Sequence, residues 1–330
     1  MGDLPTGWGG GPVEPPDLDE VARAAARISG VVLRTPLMPL QSYDATADIY
    51  LKPEVLQPVG SFKIRGVANW ALSLTDDESR PGIATTSAGN TAIALGYMGR
   101  LLGVPARSHV PESLHESKRM AIEAYGVDLV EVTMTDLIRF MFEEAWREEP
   151  FTYLNPWGEP LMIAGHGTIG SEVHVDLPEL DSVFIPVGGG ALLSGVASVL
   201  KTLKPSVKVF AVQAEVNSAL SAAFAAGGAT WIDWHETIVE GASTPIITDE
   251  MYPILRRLVD EIVLVSEDEV MGAMRRLALG DKLVTEGAGA AAVAAALATP
   301  VEQRGLSVCV VSGGSVDRDL FVEVVSGKPG

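Results

Sequence analysis

The chain has 330 residues, 47% hydrophobic and 20% charged, with 24 Lys and Arg against 43 Asp and Glu for a formal charge of −19. That balance is globular rather than disordered and has room for one or two domains. It argues against nucleic acid and anionic membranes as partners, because both recruit basic surface, and a lone cysteine, Cys309, excludes a disulfide within the chain.

Residues 1–16 are rich in Gly and Pro and lack a basic segment followed by an apolar one. They are expected to form a flexible N-terminal tail rather than a signal peptide. No apolar stretch reaches the length of a membrane span, so a cytoplasmic protein acting on a small molecule is expected. Asp17-Leu18-Asp19-Glu20 opens a helix, with an acid at the cap and another three residues later; Gly30 ends it. Short, mostly β-branched runs at 49–52, 82–86, 106–110, 128–132, 182–187, 207–213, 262–265 and 306–311 read as strands. Helical patterns at 90–102, 114–125, 137–147, 191–203, 267–279 and 288–298 lie between them. This alternation implies βαβ units and largely parallel sheets. Residues 147–160, with three prolines and paired glutamates, mark a break between two α/β lobes.

Ligands of open α/β sheets bind beyond the carboxyl ends of the strands. Four loops there are informative. After 49–52 comes Gly60-Ser61-Phe62-Lys63-Ile64-Arg65-Gly66. Ser61 is placed to cap the following helix, which puts Lys63 in a first turn that favours anions. A neutral or covalently used amine resolves that misplacement; an ordinary surface lysine is the plainer reading. After 82–86 comes Ser87-Ala88-Gly89-Asn90-Thr91, small residues that leave N–H groups free for an anion at a helix start. After 182–187 comes Gly188-Gly189-Gly190-Ala191, a backbone suited to a phosphate. After 306–311 comes Ser312-Gly313-Gly314-Ser315, with Ser312 at the strand tip. Gly165 to Gly170 matches G-x-G-x-x-G without a preceding strand and is set aside as a chance match.

Together these loops resemble the fold-type II enzymes that use pyridoxal phosphate, in particular the threonine/serine dehydratase (ammonia-lyase) and serine racemase branch. The resemblance runs from about Asp17 to about Glu323. Arg34-Thr35-Pro36-Leu37, Ala164-Gly165-His166-Gly167-Thr168 and Glu286-Gly287-Ala288-Gly289 support it. It implies an α/β protein, tryptophan synthase β-like, of two lobes, each with a central, mostly parallel sheet flanked by helices. The large lobe would comprise 17–75 and 156–330, with a small lobe, 76–155, inserted. Lys63 would hold pyridoxal 5'-phosphate as a Schiff base and then remove the α-proton of an amino acid. Gly188, Gly189, Gly190 and Ala191 would cradle the phosphate, and Asn90 would bond the ring hydroxyl. Ser312 would face the pyridine nitrogen, Phe62 would pack near the ring, and Glu286 would complete the cofactor site. Ser87, Ala88, Gly89, Asn90 and Thr91 would take the substrate carboxylate.

The implied reaction is α,β-elimination of L-threonine, L-serine or a related β-hydroxy amino acid to a 2-oxo acid and ammonia. Threonine synthase-like or cysteine synthase-like replacement is the alternative, followed by a racemase, a non-catalytic binding protein or a nicotinamide-dependent oxidoreductase. Ala88 stands where racemases of the family carry a serine, so racemisation is disfavoured. Thr91 replaces a histidine, Ala191 a glycine and His166 a glutamine. Gln213 replaces a metal-binding glutamate, so no metal is expected. A homo-oligomer is expected, without a C-terminal effector domain after Ser312–Ser315.

Overall fold

The computed structural model describes residues 4–41 and 48–327. Among these residues ten strands form two sheets. They are β1 (Met38–Pro39), β2 (Ile49–Pro53), β3 (Ile83–Thr86), β4 (Ala106–Pro111), β5 (Val127–Val132), β6 (Thr152–Leu154), β7 (Ser182–Pro186), β8 (Lys208–Ala214), β9 (Glu261–Val265) and β10 (Ser307–Val311). The large sheet has the order β1-β2-β10-β7-β8-β9 and the small one β5-β4-β3-β6. Every pairing is parallel except that of β1 with β2. The α/β class and the parallel sheets are therefore as expected.

Both faces of the large sheet are covered, which explains why its inner strands are apolar at nearly every position. Val183, Ile185, Val209, Val308 and Val310 face one core, with Ile163 and Leu193 from the helices Pro160–Asp176 and Ala191–Leu203. Phe184, Phe210, Cys309 and Val311 face the other, against the helices Glu267–Arg276 and Gly287–Ala298. A third core joins the small sheet to the helices Lys63–Ala71 and Asn90–Leu102 through Ile64, Val67, Ile83 and Leu95.

The sequence reading passes over β1 and β6, which are too short to show a period, and the helix Pro160–Asp176. That helix is buried almost all round, and its glycines sit where other helices cross it. A β-carbon at Gly165 would overlap the Arg65 carbonyl oxygen and stand 2.8 Å from Gly66 Cα. The G-x-G-x-x-G match is thus a packing surface inside a helix rather than a nucleotide loop. Gly165→Val is expected to destabilise the protein by roughly 3 kcal/mol, read as a lower urea midpoint, because backbone cannot move aside as a side chain can.

The expected tail is a correction. Residues 1–3 lie outside the described residues, but over 4–16 the chain is docked. Val13 is buried in the large-sheet core, and its N–H donates to Glu250 O at 2.9 Å. Composition suggested flexibility; two apolar anchors, Trp8 and Val13, outweigh it. Among the described residues no helix is long and apolar enough to cross a membrane.

Candidate active site

The carboxyl ends of β2 and β10 and those of β3 and β4 face one another across a cleft of about 940 Å³. Lys63, Asn90, Lys118, Glu286 and Ser312 all line it.

Long-range backbone contacts place Lys63. Ser61 does not cap the helix; it bridges Gly313, and its buried hydroxyl finds no partner among the described residues. Phe62 N–H donates to Ser312 O at 3.0 Å, and Gly314 N–H donates to Gly60 O at 2.9 Å. The lysine loop and the serine loop therefore run side by side. Lys63 opens the helix, its amine 5.0 Å from the Phe62 ring centroid and bonded to no described residue. Burial draws its pKa down to about 8, against the pull of the Glu286 carboxylate. A share of the amine is thus neutral near pH 7, and a free amine is a nucleophile and a base.

Glu286 is fixed by its own N–H, which donates to Gly313 O at 3.1 Å. Its side chain accepts from Asn90 Nδ2 at 2.7 Å, and Ser315 Oγ donates to Asn90 Oδ1 at 2.6 Å. Asn90 thereby ties the small-sheet side of the cleft to the large-sheet side. Burial raises the Glu286 pKa to about 7, while Asn90, Lys118 and Lys63 oppose the shift. A folded pKa above the unfolded value means stability present below about pH 4.5 and lost as pH rises through 7. Replacement Glu286→Gln is expected to remove about 2 kcal/mol of that pH dependence from the apoprotein, measured by urea unfolding at pH 5 and pH 8.

Ser312 is buried at the tip of β10, and its hydroxyl donates to Ala288 O at 3.2 Å. In the 87–91 loop, Ser108 Oγ takes the Ser87 N–H and Ser87 Oγ takes the Gly89 N–H. The N–H groups of Ala88, Asn90 and Thr91 are left at the start of the helix Asn90–Leu102, facing the cleft. Free N–H groups at a helix start suit an anion.

The glycine loop lies beside the cleft rather than in its wall. It backs onto Trp157 and Gly241, which do line the cleft. Gly190 holds φ +101°, a backbone that disfavours a side chain, and starts the helix Ala191–Leu203. Among the described residues, the N–H groups of Gly188, Gly189, Gly190 and Ala191 donate to no protein acceptor. Four free donors at the positive end of a helix fit a phosphate group.

The other singled-out residues have structural roles. Thr35 Oγ1 donates to Glu54, and Thr168 accepts from Arg65. His166 is fully buried, edge-on to Phe62 at 4.7 Å, and burial first, then Lys63 and Arg65, holds it neutral. Gln213 donates to Val187 O and accepts from Leu220 N–H, using both ends of its amide within the fold. The sequence reading missed Lys118, which pairs with Glu240 across the cleft, and Asp317 and Trp157 in its wall. Lys118 lies in the helix Glu116–Glu123 that follows β4, so the strand-end rule finds it; Glu240 opens a three-residue 3-10 turn, Glu240–Ala242, that carries no such signal.

A deep cleft with an unbonded lysine amine in it and a helix start ready for phosphate beside it suits an enzyme whose chemistry comes from a phosphorylated aldehyde. The chain belongs to the pyridoxal-phosphate-dependent enzyme family (PALP), whose model matches residues 28–313. It is 34% identical over 308 residues to the catabolic L-threonine dehydratase TdcB of Staphylococcus aureus strain USA300, covering 91% of this chain and 89% of that one. Among solved structures it is similar to a threonine deaminase from T.th., with TM-score 0.82, 32% identity and coverage of 92% of this chain and 99% of that one. It is also similar to maize serine racemase, with TM-score 0.86, 28% identity and coverage of 95% and 98%. The fold is thus fold type II, and the cofactor is pyridoxal phosphate.

Proposed function

We propose that the protein is an ammonia-lyase. It eliminates the β-hydroxyl of L-threonine, L-serine or a related amino acid and yields a 2-oxo acid and ammonium. L-Threonine would give 2-oxobutanoate and NH4+, with the water lost in elimination regained in hydrolysis. The observation that carries this reading is a cleft in which the Lys63 amine bonds no described residue and Ala88 stands where a second proton carrier would be needed for racemisation. Relatives named as threonine dehydratase and threonine deaminase support it.

When bound, the cofactor supplies the electron sink for the α-carbanion. Lys63 Nζ would hold the cofactor and would also be the group that accepts the α-proton; its lowered pKa suits both tasks. The N–H groups of Gly188, Gly189, Gly190 and Ala191 would hold the phosphate. Ser312 would offer a neutral hydroxyl to the ring nitrogen, Phe62 would pack near the ring, and Asn90 with Glu286 would complete the cofactor site. Ser87 Oγ and the N–H groups of Ala88, Asn90 and Thr91 orient the substrate carboxylate, with Gly89 giving the loop its turn. We assign 76–155 as the small lobe, and 17–75 with 156–330 as the large one. Their closure through Lys118 and Glu240 excludes water. The enzyme is assigned as a homo-oligomer.

The test is a panel of β-substituted L- and D-amino acids supplied to holoenzyme, with 2-oxo acid formation measured. L-Threonine or L-serine is expected to react. Absence of 2-oxo acid from every β-hydroxy amino acid overturns the reading, and phosphate release from O-phosphohomoserine would mark a replacement enzyme instead.

A further inference from the structure

The docked segment 5–13 reaches the glycine loop through two aromatic side chains. Trp8 packs on the large-sheet core. A β-carbon at Gly158 would stand 2.5 Å from Trp8 Cη2, so the indole rests directly on that backbone. Gly10 closes over it from the other side, where a β-carbon would lie 2.9 Å from Trp8 Nε1. Gly158 belongs to a tight turn in which Asn155 Oδ1 accepts from the N–H groups of Trp157 at 3.0 Å and Gly158 at 3.2 Å. The neighbouring Trp157 lies on Gly189, where a β-carbon would meet Cγ and Cδ1 at 2.8 Å. Trp8 therefore presses on the turn whose neighbouring side chain, Trp157, packs against Gly189 in the middle of the glycine loop.

The segment is pinned on the loop's other side as well. Trp231 Nε1 donates to Pro5 O at 3.2 Å, Asp249 N–H to Thr6 O at 3.1 Å and Val13 N–H to Glu250 O at 2.9 Å. The next residue, Met251, walls Gly190, with its Cε 3.2 Å from where a β-carbon would be. One strap thus holds both pieces of chain that touch Gly189 and Gly190.

We propose that Trp8 is a positioning residue for the phosphate cradle: it fixes Trp157 over Gly189 and so sets how tightly the cofactor's phosphate is held. The inference rests on reading Gly188–Ala191 as that cradle. The test titrates apoprotein with pyridoxal phosphate and, separately, with pyridoxal, which lacks the phosphate, and follows visible absorbance. Trp8→Ala is expected to weaken pyridoxal phosphate roughly ten-fold and to leave pyridoxal unchanged, while Trp8→Phe keeps most of the affinity. Gly158→Ala, which lifts the indole off the turn, is expected to show the same selective loss and serves if Trp8→Ala does not fold. Unchanged affinity in a folded variant, or equal weakening for both ligands, overturns the proposal. Failure of the unsubstituted protein to discriminate the two ligands overturns the cradle reading instead.

Discussion

Lys63→Ala is expected to lower turnover roughly ten thousand-fold, because one substitution removes both the cofactor's covalent anchor and the base. The visible absorbance of the lysine-bound cofactor should vanish with it. The fold should not suffer. Lys63 donates no hydrogen bond to a described residue, and burial lowers its pKa from 10.5 to about 8. A depressed lysine pKa is a penalty in full force below about pH 8 and gone above pH 10.5. Removing the amine relieves it, so the apoprotein variant should melt no lower than the parent at pH 7. Turnover within ten-fold of the parent, measured as 2-oxo acid per holoenzyme, would end the assignment. Melting well below the parent would show that Lys63 serves the fold.

Arg65→Met is expected to act the other way, through stability first, with a loss of about 3–5 kcal/mol. Arg65 is 1% exposed. Its guanidinium bonds both oxygens of Glu54, at 2.7 and 2.8 Å, and both of Glu172, at 2.7 and 2.9 Å. Burial opposes its charge, but the two carboxylates outweigh burial and raise its pKa. Methionine fills the space and leaves Glu54, which is fully buried, without its cation. The comparison is Arg147→Ala: Arg147 also pairs with a glutamate, but its side chain is 63% exposed, so solvent screens the pair and the change should cost far less. Urea unfolding of both variants checks the contrast. Similar losses would mean that the buried network contributes no more than a surface pair.

Much of this was readable before any coordinates. The eight expected strands lie within a residue or so of those found, because most are short β-branched runs bounded by Gly, Pro or Asp, which end them sharply. The cleft loops were readable because they follow strand ends. What stayed hidden was set by distant chain. Ser61 has the right type for a helix cap, but its neighbours pair with Ser312–Gly314, about 250 positions away, and that pairing fixes the loop. The helix Pro160–Asp176 lacks a polar face and is rich in glycine, and both features count against a helix until its neighbours are known. Glu240 opens a three-residue 3-10 turn and Trp157 sits in a turn, neither of which a strand-and-helix pattern addresses.

The order of the large sheet sets a timetable for making the protein. The small sheet is complete in sequence at Leu154, so it can assemble while the rest is still being synthesised. The large sheet cannot, since β10, the last strand in sequence among the described residues, lies between β2 and β7, among the earlier ones. Until it arrives, β2 and β7 have an unfilled slot between them, and Ser312 and the Gly313 bridge that seats Ser61 do not exist. A chain cut short before β10 is therefore expected to lack both its central strand and the floor of its cleft. Activity is therefore expected to appear only once β10 has been inserted between β2 and β7.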